Sequence, residues 1–147
     1  MPTAAKLIAA LSLAVVAFFA TTEIVRTLPD GMAGPRFVIV NCAIGFLVGW
    51  KVLGRYADRG YRGSIPFGFW ALSNLVFWAM VTHSINEMLS ESTKLRYDGV
   101  MEALQGTFEI MLEYAIVMIE APASIVTLLI GSLLATWASV WADKRWK

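Results

Sequence analysis

The sequence predicts an all-α, polytopic membrane protein: a four-helix transmembrane bundle with one extra amphipathic, acidic helix placed before the last span. Three observations carry that prediction. The 147-residue chain is 58% hydrophobic and only 16% charged, whereas soluble domains lie nearer to half apolar and a quarter charged. Its mean hydropathy is +0.64. Four separate stretches also offer the roughly 20 mostly apolar residues that a helix needs to cross a bilayer. The length leaves room for a single membrane domain over 1–147, and a net charge of +1 supplies no basic surface for nucleic acid.

The first span is expected over about 4–28, with an uncharged heart from Leu7 to Thr22 and with Glu23 and Arg26 at the interface. Lys6 followed by LIAALSLAVVAFFA has the outline of a secretory signal. Phe18 and Ala20 ahead of TTE make a poor cleavage site, however, so the segment is read as a retained helix. In LPDGMAGP, Pro29, Asp30 and Gly31 form a turn, and Gly34-Pro35 adds a second break. The second span is expected over 37–54, followed by the basic loop KVLGRYADRGYRGS. The third is expected over 65–88, followed by the polar loop SESTKLRYDG. The fourth, over 121–142, carries no charge until Asp143.

Between the third and fourth spans lies the acidic segment, expected as a helix over 99–120. Glu102, Glu109, Glu113 and Glu120 are spaced seven, four and seven apart, so at 100° per residue they point the same way to within about 40°. Carboxylates at the bilayer centre cost several kcal/mol each unless protonated or paired. This helix is therefore expected outside the hydrocarbon, anchored by Leu104, Phe108, Met111, Leu112, Ile116 and Ile119, with a bend permitted at Pro122.

Sidedness follows from the short loops. Lys51, Arg55, Arg59 and Arg62, then Lys144, Arg145 and Lys147, and Lys6 with the α-amine fall on one side of a four-span chain. Only Arg26, Arg36, Lys94 and Arg96 fall on the other. Both termini are expected in the cytoplasm of a bacterial inner-membrane protein, with the acidic helix on the outer, periplasmic face. Trp50, Trp70, Trp137, Trp141 and Trp146 cluster near the cytoplasmic ends as an aromatic belt.

Two polar constellations are candidate sites. His83, Glu87 and Glu91 follow i, i+4, i+8 and, with Glu109 and Glu113, offer the imidazole-carboxylate mixture of many metal centres. The plainer reading makes His83 an interfacial histidine hydrogen-bonded to a neighbouring helix and the glutamates a solvated face. The second constellation is a docking surface for a basic partner, made by Glu102, Glu109, Glu113 and Glu120 with Arg96 and Asp98. The helix lacks the interleaved lysines of an ordinary solvated face.

Asn41, Gly45 and Gly49 form one stripe on the second span, with Gly45-x-x-x-Gly49 as a close-packing motif. Gly131 and Ala135 begin a similar face on the fourth, and Ala10, Ala14 and Ala17 on the first. These are expected to pack within the chain, with an oligomer interface as the alternative. Asn41 and Asn74 are expected to hydrogen-bond between helices. Cys42, the single cysteine, reads as an apolar filler. There is no nucleophile elbow, no His-Glu-x-x-His and no phosphate loop, so enzymatic activity is not expected; no cofactor is indicated.

MPTAAKL at the start, NCAIGFLVGWKVLGR with RGY soon after, RYDGVMEAL leading to Glu113-Tyr114, and the closing WADKRW together resemble the TrgA-type membrane proteins, a family associated with tellurite resistance in alphaproteobacteria. The likeness covers most of the chain. It implies an inner-membrane location and a link to tellurite, and it marks Arg96, Tyr97, Asp98, Gly99 and Glu102 as family-like positions. An acidic outer ridge repels an oxyanion, so the expected role is indirect: an accessory or homeostasis factor, associated with the lipid bilayer and with a larger membrane complex or further copies of itself. A metal-binding membrane protein using the external His and Glu residues ranks second, and an oligomeric ion or oxyanion transporter third.

Overall fold

The computed structural model describes residues 4–28, 33–94 and 99–146. All regular structure among them is helical. Helix α1 runs Ala4–Val25, α2 Phe37–Lys51, α3 Gly60–Thr93, α4 Val100–Glu120 and α5 Pro122–Arg145. Two short 3-10 turns, Leu53–Arg55 and Ala57–Arg59, link α2 to α3. Four stretches are long and apolar enough to cross a membrane: α1, α2 with its following turn, α3 with its preceding turn, and α5. The chain thus has the make-up of a multi-pass membrane protein. The turn expected at Pro29, Asp30 and Gly31 lies outside the described residues, as do Arg96, Tyr97 and Asp98.

Helix α3 is longer than the third apolar stretch at both ends, beginning at Gly60 rather than 65 and ending at Thr93 rather than 88. Hydropathy marks where apolar surface stops, whereas backbone hydrogen bonding continues through polar residues of adequate helix propensity. Gly60 makes the entry possible, because its φ of +75° belongs to the left-handed region that glycine enters without a Cβ penalty.

Helix α1 is the centre of the packing, lying most extensively against α2 and α5. Its buried face is Ala5, Ala9, Ala10, Leu13, Ala17, Ala20 and Thr21, almost all small. That face lets α2 approach to backbone contact. A Cβ added at Gly45 would fall 2.8 Å from Leu13 O, and one at Gly49 would fall 2.7 Å from Ala10 Cα. The glycine pair is thereby committed to packing within the chain, where small residues increase dispersion contact between helices. On α5, a Cβ at Gly131 would meet Val16 Cγ1 at 2.6 Å, and Ala135 is buried in the same core as Leu13 and Ala17.

Helix α4 packs chiefly on α3 and barely on α5, although only Ala121 separates it from α5. Ala121 is non-helical (φ −108°, ψ 69°), and Pro122 opens α5 at its first turn, where its missing N–H costs no hydrogen bond.

Candidate functional site

One internal hydrogen-bonded chain joins three helices at the acidic end of the molecule. Asn41 Nδ2 donates to Thr21 Oγ1 at 3.0 Å. That fixes Asn41 Oδ1 toward His83, whose Nε2 lies 2.8 Å away. An amide oxygen can only accept, so the proton of this bond sits on His83 Nε2, and the neutral imidazole keeps its lone pair on Nδ1. Thr21, Asn41 and His83 are all buried, at 3%, 6% and 7% exposure, and the mutual bonds are what make burial of three polar groups tolerable.

The depth of this node follows from the sequence. From Gly63 to Asn86, α3 has 24 residues without Asp, Glu, Lys or Arg, about 36 Å of helix at 1.5 Å per residue. His83 stands three residues inside the end of that run. The node therefore lies at the border of the apolar segment.

Aromatic rings frame the histidine. Phe37, the first residue of α2, stacks on the imidazole with centroids 3.9 Å apart and planes 23° apart. Tyr114 of α4 approaches the same ring at 6.0 Å. Phe37, His83 and Tyr114 together form a partition, because each lines two separate cavities. The inner cavity, about 60 Å³, is walled mainly by apolar side chains of α1, α3, α4 and α5, among them Met80 and Met118, and by Thr21 and Asn41. The outer one, a vestibule of about 540 Å³, is walled by Arg36, Thr82, Asn86, Glu87, Ser90 and Lys94. Tyr114 feels both sides: burial, then the carboxylates of Glu87 and Glu113, push its phenol up to about 12.

The residues singled out from sequence are not gathered into one cluster. His83 is buried with Nε2 engaged, and Glu91 accepts from Lys94 Nζ at 3.4 Å. Among the described residues no three His, Cys, Asp or Glu side chains are grouped to hold a metal ion. The set His83, Glu87, Glu91, Glu109 and Glu113 is therefore dispersed. Each i+4 step drifts by about 40° around a helix, so Glu91 is turned some 80° from His83 and lies about 12 Å further along the axis. Asn74 corrects a second expectation: its Nδ2 donates at 2.8 Å to Trp70 O of its own helix, not to a neighbour.

The surface of α4 has three faces. Gly106, Tyr114 and Val117 are buried. Nearly opposite them, Leu104, Phe108, Leu112, Ile116 and Ile119 are 51–69% exposed. The stripe of Glu102, Glu109, Glu113 and Glu120 is exposed between these faces, centred about 70° from the buried side by helical geometry. Sequence reasoning found His83 and Asn41, because polar residues stand out in apolar runs. It missed Phe37, Tyr114, Met80 and Met118, which are indistinguishable there from packing residues.

No protein-family model matches the chain, and neither a curated protein nor a solved structure does so.

Proposed function

We propose that this is a non-enzymatic accessory protein of the bacterial inner membrane, of the TrgA type, that supports tellurite resistance indirectly as part of a larger membrane complex. In this reading α1, α2, α3 and α5 form a four-helix transmembrane bundle with both termini cytoplasmic. Helix α4 lies on the outer face, its apolar ridge in the outer leaflet and its glutamates toward a basic segment of a partner subunit.

The observation that carries the reading is the surface of α4. The helix contains no Lys, Arg or His of its own. Glu109, Glu113 and Glu120 have no ion-pair partner among the described residues; the pairs Arg26–Glu23 and Lys94–Glu91 lie elsewhere. Like charges at i, i+4, as at Glu109 and Glu113, oppose the helix by a few tenths of a kcal/mol. A basic partner reverses the sign of that contribution, and an interface of opposite charge also speeds encounter.

The experiment is purification of the tagged protein from native membranes in mild detergent. A discrete complex is expected, weakening as ionic strength rises because the attraction is screened. The triple variant Glu109→Gln, Glu113→Gln, Glu120→Gln is expected to release the partner. A complex recovered from that variant at the unaltered yield overturns the docking role.

A further inference from the structure

We propose that Met80, Met118 and His83 form a binding site for a soft monovalent cation of the Cu(I) class, in the inner cavity, with Asn41 as its positioning residue. The three donors come from two helices, α3 and α4, and line one half-open, mainly apolar cavity, with Met80 and Met118 half-buried. Thioethers are soft ligands that select Cu(I) over hard cations, and imidazole completes such sets. The glutamates discussed above are not among the donors, so the site stands independently of the docking role.

The histidine is arranged as a ligand. Metal-binding imidazoles donate their second N–H to an acceptor that fixes tautomer and ring orientation. Here Nε2–H is held by Asn41 Oδ1 at 2.8 Å, and Asn41 is itself held by Thr21 at 3.0 Å. Nδ1 is left as the basic nitrogen.

Cavity size and chemistry agree with this assignment. Methionine ordinarily fills gaps, yet Met80 and Met118 border a space of about 60 Å³, well above the roughly 10–15 Å³ that one water requires. A dehydrated monovalent ion fits. A hard divalent cation does not, since it demands six or more oxygen ligands, and the oxygens of the polar chain are already engaged: Thr21 Oγ1 accepts from Asn41 Nδ2, and Asn41 Oδ1 accepts from His83 Nε2. The vestibule adjoins the cavity across the Phe37, His83 and Tyr114 partition. Among the charged groups in its wall, Glu87 attracts a cation, while Arg36 and Lys94 oppose one, the more strongly the higher its charge.

The test is anaerobic titration of the purified full-length protein with Cu(I) against a chromogenic Cu(I) chelator. One equivalent is expected to be withheld from the chelator and displaced by Ag(I), with sulfur and nitrogen neighbours in the X-ray absorption spectrum. Met80→Leu and Met118→Leu conserve volume and are each expected to weaken binding by at least about ten-fold; Asn41→Leu is expected to weaken it by about 10–100-fold. Met101→Leu, at a methionine 69% exposed and remote from the cavity, is expected to bind unchanged. Cu(I) passing entirely to the chelator overturns the site, as does a Met80→Leu/Met118→Leu variant that withholds it as firmly as the unaltered protein.

Discussion

The two ends of the molecule are built from the same helices by opposite means. At the basic end, the 3-10 turns are pressed into the core: Leu53 is 1% exposed and Ala57 3%, and a Cβ at Gly54 would fall 2.7 Å from Lys6 Cα. Tyr56 stacks on Phe67 at 3.9 Å, Arg59 lies over both rings at 5.3 and 4.8 Å, and Ser64 Oγ bonds to Tyr56 O at 2.8 Å. At the acidic end, three polar side chains hold α1, α2 and α3 in register, and space remains on both sides of the Phe37–His83–Tyr114 partition. Positive charge at one end is used for closure. Polarity at the other end is spent on positioning groups around a void.

The largest effect is expected at the tightest approach of α1 and α2. Gly49→Leu forces a side chain into the backbone of Ala9 and Ala10 and is expected to cost about 3 kcal/mol, the upper range for overpacking, read as a large loss of thermal stability in detergent. Asn41→Ala attacks the acidic end alone. It leaves the buried His83 Nε2–H and Thr21 hydroxyl without their partner and is expected to cost about 1–3 kcal/mol, measured by the same unfolding assay.

Smaller perturbations sharpen the contrast. Ser84 Oγ, beside His83, is fully buried and has no hydrogen-bond partner among the described residues. Ser84→Ala is therefore expected to stabilise the protein by about 1 kcal/mol through removal of an unsatisfied hydroxyl. Arg59→Ala at the basic end is expected to cost about 0.5–1 kcal/mol, the worth of an exposed cation–π contact.

The gentlest probe is titration. Tyr114 binds its proton more tightly in the fold than in the unfolded chain, because burial and then Glu87 and Glu113 push its phenol up from 10 to about 12. Its contribution to stability is thus complete below pH 10 and lost as the pH rises toward about 12. Ultraviolet difference spectra follow the ionisation directly, and Glu113→Gln is expected to bring it to lower pH.

Hydropathy made the four apolar helices legible, and the Pro122 signal located the start of α5. The ends of α3 were not legible, since Gly60 to Ser64 and Leu89 to Thr93, both largely polar, are helical beyond the expected 65–88. Asn41 and His83 announced themselves as polar residues in apolar surroundings, but their contact depends on the relative register of α2 and α3, which no local pattern encodes. Met80 and Met118 are 38 residues apart and acquire meaning only from the space between them. The acidic stripe was visible as a period, whereas the side of α4 chosen for packing was not: the helix buries Gly106, Tyr114 and Val117 and leaves its larger aliphatic residues outside.

The joint at Ala121 has a mechanical consequence. A connection of one residue, itself only 4% exposed, offers two torsions and no slack. Any force applied to the glutamate-bearing rod is resolved at that point or delivered to the final helix as a change of tilt. Because the same rod contributes Tyr114 and Met118 to the cavity walls, a load on its outer surface is also a load on the cavity, making α4 a lever with its fulcrum at Ala121.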